Sequence, residues 1–168
     1  NYPEDTVEAA KVYKNISKDI RKLEVVSPFM VDLIRSETDP KKALQASLIF
    51  LETLKYENTD ETAKMKNMLL ENSVIFDKSL PLLQRIGAYQ QIAKISGFAD
   101  DYKMQNELLK GFMQEIEAIK DPVERNGLYD IFINKEHRIS DPDIRREFQK
   151  MWVESAFEAC GSKIDDNS

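Results

Sequence analysis

The sequence predicts an all-α protein of about eight antiparallel helices arranged as stacked helical hairpins. Three observations carry that expectation. Five Gly and six Pro among 168 residues are too few to turn an all-β chain. The prolines stand where helices begin. Between them, apolar residues recur at steps of three and four.

The expected helices cover about 5–23, 27–36, 40–56, 60–76, 80–96, 99–118, 122–136 and 142–160. Pro3 precedes the first, whose apolar face runs Ala9, Tyr13, Ile16, Ile20, Leu23. Ser27-Pro28 opens the second and Asp39-Pro40 the third, whose run Ser47-Leu48-Ile49-Phe50-Leu51 suits a buried helix segment. Pro81, after Ser79-Leu80, starts the fifth, and Gly97 closes it. Met104, Leu108, Phe112 and Ile116 form the face of the sixth. Asp121-Pro122 opens the seventh and Asp141-Pro142 the eighth, with Ile144, Phe148, Trp152 and Ala156 as its core face and Gly161 as its stop. In each such start, Asp or Ser accepts a bond from an otherwise unpaired N–H, and Pro has no N–H to lose. No proline is expected inside a helix. The tail 162–168 is polar and reads as frayed.

A shift of 40 positions lays Arg85, Gly87, Tyr89, Asp101, Glu107 and Lys110 over Arg125, Gly127, Tyr129, Asp141, Glu147 and Lys150. The same shift lays Met104, Leu108 and Phe112 over Ile144, Phe148 and Trp152. A period of this size is one helical hairpin, the class of HEAT-like units. The expectation is a single domain over 1–161, built from hairpins 1–37, 38–77, 78–118 and 119–161 as a short solenoid; an irregular helical bundle is the alternative. The tetratricopeptide spacing of Trp, Leu-Gly and Tyr and the ankyrin signature Thr-Pro-Leu-His are absent. Gly87, Gly111 and Gly127 fall inside expected helices, where Gly is costly. Close approach of a neighbouring helix is the expected cause, and a ligand approaching the backbone is the alternative.

A formal net charge of −6 argues against nucleic acid as the main partner, because phosphate binding needs surplus Lys and Arg. No stretch reaches the roughly 20 apolar residues of a membrane span. The lone Cys160 forms no internal disulfide and is expected as a small apolar filler. The compartment stays open between the cytoplasm, which is favoured, and an exported or processed form, since the chain opens on Asn1 rather than Met.

Catalytic and cofactor chemistry is thinly provided. His137 is the only histidine, which leaves no Ser-His-Asp or Cys-His constellation, no zinc site and no di-iron bundle. No phosphate-cradling glycine loop occurs. No metal or cofactor is therefore expected. His137 itself reads as an exposed cation at a helix C-terminus.

One basic cluster interrupts the acidic background: Lys135, His137, Arg138, Arg145 and Arg146. The two arginines stand in the first turn of a helix, where the macrodipole disfavours cations. Either they pair with Asp141, Asp143 and Glu147 nearby, or they serve something outside the helix. The expected function is a non-enzymatic protein-interaction module (an adaptor, scaffold or immunity-type inhibitor surface), with the cluster facing an acidic protein partner. The alternatives are a carboxylate-dependent enzyme with a pocket between helices, and a lipid or small-ligand carrier.

Overall fold

The computed structural model describes residues 5–16, 20–53, 77–93, 102–134 and 139–166, with backbone alone for 16, 20–27 and 162–166. Seven helices and no strand occur among the described residues: α1 (Thr6–Ile16), α2 (Ile20–Ser36), α3 (Pro40–Thr53), α4 (Leu82–Ile92), α5 (Tyr102–Glu117), α6 (Pro122–Ile133) and α7 (Pro142–Asp166). The expected helix over 60–76, Gly97 and the cluster segment Lys135–Arg138 lie outside the described residues. No described helix is long and apolar enough to cross a membrane. The chain divides into two compact units, Asn1–Ala99 and Asp100–Ser168.

The first unit is held by α1 against α3. Tyr13 meets Phe50 with ring centroids 5.2 Å apart, and Ala10, Ile34, Ala46 and Leu51 are fully buried with them. At the edge, Lys42 Nζ lies 3.2 Å from Asp5, and the Thr6 hydroxyl donates to Glu37. On α4, Ile86, Tyr89 and Ile92 are buried. Burial pushes the Tyr89 phenol up to about 12, so it stays protonated.

The second unit is built on an aromatic cluster. Phe132 lies tilted 4.8 Å from Phe148, Phe112 lies 5.9 Å from Phe132, and Tyr129 and Phe148 meet edge to face at 6.0 Å. Leu109 and Ile116 close the α5 side. The face of α5 is rotated slightly from the expected one. Gln105, Leu109, Phe112, Met113 and Ile116 are buried, while Met104 and Leu108 sit half-buried at its edge. On α7, Ile144 and Phe148 are buried as expected, but Trp152 and Ala156 are half-buried and Ser155 takes the deeper place.

The aspartate caps form as the sequence implies. The Asp39 carboxylate accepts from Lys41 N at 3.0 Å, Asp121 from Val123 N at 3.0 Å and Asp141 from Asp143 N at 2.8 Å. Two boundaries do not. Pro28 lies inside α2 instead of opening a helix. The Ser-Pro dipeptide looks like a start, yet the helix runs unbroken across it from Ile20 to Ser36. Met30 and Ile34 are buried, and that packing outweighs the one backbone bond that Pro removes. Gly161 likewise does not end α7, which continues to Asp166 through what was expected to be a frayed tail. Gly enters a left-handed turn cheaply but is not obliged to.

The glycine expectation is overturned. A Cβ built on Gly87, Gly111 or Gly127 meets nothing within 4 Å, so no described helix presses on these positions. Alanine at each should therefore stabilise by about 0.5–1 kcal/mol, through helix propensity and a stiffer unfolded chain. Urea titration of the three single variants checks this, and a loss of stability at any of them would show a crowded site.

Candidate functional site

Three helices of the two units begin with an arginine that reaches backwards. Arg85 Nε donates to the Leu80 carbonyl at 3.0 Å. Arg125 Nη1 donates to the Ile119 carbonyl at 2.6 Å and to Lys120 O at 3.1 Å. Arg145 donates from Nε and Nη2 to the Ile139 carbonyl at 3.0 and 2.7 Å. Each guanidinium binds a carbonyl of the segment entering its own helix. A rigid fork of donors suits this task better than a lysine would.

This places Arg145 of the expected cluster. Its position in the first turn runs against the macrodipole because it pins the incoming chain. Arg146 is spent locally as well, 3.1 Å from Asp143 with its Nε 3.4 Å from the Pro142 carbonyl. Lys135, His137 and Arg138 lie outside the described residues. The two described members thus do not converge on a common point. Arg145→Ala should lower stability by about 1 kcal/mol through the lost charged hydrogen bonds. Arg146→Ala, at an exposed pair, should leave the thermal midpoint unchanged within error. Equal effects in thermal melts would refute the distinction.

Asp141 does more than cap α7. It also accepts from the Asn106 amide of α5 at 2.8 Å. The backbone bond from Asp143, and then the Asn106 amide, hold its carboxyl below the usual range. Asp5, bonded by Lys42, and Glu37, bonded by Thr6, are lowered too. A carboxyl with a depressed folded pKa stabilises the fold above its unfolded value, and loses that contribution as pH falls through the folded one. Thermal melts should be flat from neutral pH to about 5 and decline below about 4. Asp141→Asn should flatten part of that decline.

The seam between α6 and α7 is antiparallel: Arg125 pairs with Glu158, Asn126 with Trp152 and Ser155, and Tyr129 with Phe148. The Asn126 amide donates to the Trp152 carbonyl at 2.8 Å and to the Ser155 hydroxyl at 3.1 Å. Tyr129 is wholly buried and donates its hydroxyl to Glu117. Burial first, then that carboxylate, drive its phenol upward, so it acts as a fixed donor.

The exposed side of this hairpin carries apolar side chains. Phe157 is 75% exposed, Val123 52% and Val153 44%. By helical spacing, Val153 and Phe157 stand opposite the buried Phe148 and Ser155, so α7 has a second apolar stripe facing water. Cys160, expected as core filler, is exposed on the same helix. It follows Phe157 by three residues, on the face out of phase with Phe148 and Ser155. Among the described residues no group of His, Cys, Asp and Glu stands together as a metal site requires.

Compared with protein-family models, with curated proteins and with solved structures, the chain matches none.

The sequence reading missed the arginine clamp and the outward stripe. The first had a visible signal. Ile119-Lys120-Asp121-Pro122-Val123-Glu124-Arg125 and Ile139-Ser140-Asp141-Pro142-Asp143-Ile144-Arg145 share Ile, Asp, Pro and Arg at the same spacing, 20 positions apart. The second was legible in Val153, Phe157 and Cys160, spaced four and three apart and out of phase with the core face.

Proposed function

We propose that the chain is a non-enzymatic protein-interaction module whose docking face is the outer side of the α6–α7 hairpin. The observation that carries this is Phe157, a large aromatic side chain held 75% exposed in the middle of a helix, with Val153 one turn before it. An isolated exposed apolar residue is ordinary. A stripe in register on the face opposite the core supports a second burial partner. Helical hairpins present such faces in repeat proteins. The antiparallel α6–α7 pair fits the last of the four expected hairpins, and stacking of HEAT-like units is the arrangement we favour.

The test is photo-crosslinking. A benzophenone amino acid replaces Phe157 in one variant and Lys103, an exposed residue of α5, in a control. In the native lysate, a discrete protein adduct from position 157 and none from 103 supports the reading. No adduct at 157, or equal adducts at both, refutes it.

A further inference from the structure

We infer that the α6–α7 face takes an amphipathic helix of basic character from a partner protein. The inference rests on the docking reading above and adds the chemistry of the occupant.

The first observation is charge. Residues 1–99 contain 14 Asp and Glu against 14 Lys and Arg, whereas residues 100–168 contain 16 against 10. The whole net charge of −6 therefore sits on the unit that carries the exposed stripe. Within that unit the described arginines are engaged: Arg125 with Glu158 and loop carbonyls, Arg145 with Ile139, Arg146 with Asp143. Such a field attracts a cationic partner and speeds its encounter. It opposes a second copy of the same unit, which would bring like charge against like.

The second observation is shape. Arg125 and Glu158 close one side of the α6–α7 seam, and Asn126 bridges it toward the other. On that other side, helical spacing sets Val123 and Gly127 of α6 beside the half-buried Trp152 and Ala156 and the exposed Val153 of α7. Gly127 lies exposed inside a helix, at a cost, with no described neighbour to explain it. A missing Cβ there lets a third helix lie low across the seam. Phe157 and Val123 then stand at the edges as anchors for residues spaced i, i+3/i+4, i+7 on the incoming helix. Glu124 and Glu154 are exposed on the same two helices, Glu154 at 3.9 Å from Lys150, and add to the acidic field around the stripe.

The experiment selects peptides of about 18 residues from a random display library on the full chain, then measures their binding by fluorescence anisotropy. The expected winners are amphipathic by helical spacing and net positive, and compete with one another. Phe157→Glu and Gly127→Leu should each weaken them by about tenfold or more, while both variants keep the wild-type circular dichroism spectrum. Binding should also weaken as salt rises. Winners that are acidic, neutral or extended would overturn the inference, as would binding indifferent to both substitutions. A dimer in sedimentation velocity that Phe157→Glu dissolves would assign the face to a second copy and also overturn it. The docking reading itself is judged by the crosslink at 157, so a protein adduct there with no basic peptide selected would reject only the basic helix.

Discussion

Phe148→Ala should cost about 4 kcal/mol of stability, the range for emptying an aromatic site in a closed core. Phe148 is wholly buried, touches both Phe132 and Tyr129 and draws α7 onto α6. Its ring neighbours Phe132 and Tyr129 are themselves wholly buried on α6, which limits how far they can move into the space left. Phe148→Leu keeps much of the apolar volume and should lose about 1 kcal/mol. The chain offers a convenient probe, since Trp152 is its only tryptophan and stands one turn beyond Phe148 on the same helix. Urea titration followed by tryptophan fluorescence therefore reads the second unit directly. A Phe148→Ala midpoint equal to that of Phe148→Leu would mean that the aromatic cluster is not the organising core.

Pro28→Ala should raise stability by about 2 kcal/mol. A proline in a helix interior costs about 3 kcal/mol relative to alanine, because it removes one backbone bond and crowds the preceding turn. Freeing the unfolded chain from the pyrrolidine ring returns about 1 kcal/mol of that gain. Pro28 is exposed, so the substitution removes no buried contact. The gain should appear in denaturation followed by far-ultraviolet circular dichroism, with new protection of the residue 28 amide against hydrogen exchange. A destabilised variant would place a helix start, not a helix interior, at this residue.

The outcome at Pro28 shows where sequence reading reaches and where it stops. The caps at Asp39, Asp121 and Asp141 are legible because a cap is decided within three residues, by a side chain and an N–H that are both written in the sequence. Ser27-Pro28 is written in the same alphabet, but its fate is decided by Met30 and Ile34, which are buried against the rest of the unit. Gly161 is a similar case, since a glycine permits a helix end without enforcing one. The sequence implies crowding at Gly87 and Gly127, because crowding is a common reason to accept glycine in a helix; the open space beside them depends on residues distant in the chain. The cluster at Arg145 and Arg146 was visible as charge. The pairing of Arg146 with Asp143 was legible too, as one of the two readings of the cluster; the use of Arg145 was not, because its acceptor is a carbonyl, and every residue type has one.

That last property bears on how this chain could be traced through divergence. A side chain that binds another side chain ties two positions together, and either can be lost by substitution. The arginine at 145 binds main-chain oxygen instead, and that at 125 does so in addition to pairing with Glu158; a main-chain acceptor is one that no point mutation removes. The positions around them are thereby released to drift. What must persist is only an aspartate, a proline and an arginine at fixed intervals ahead of a helix. Descendants sharing few identities with this chain could still be found by that sparse spacing, where comparison of whole sequences would pass them over.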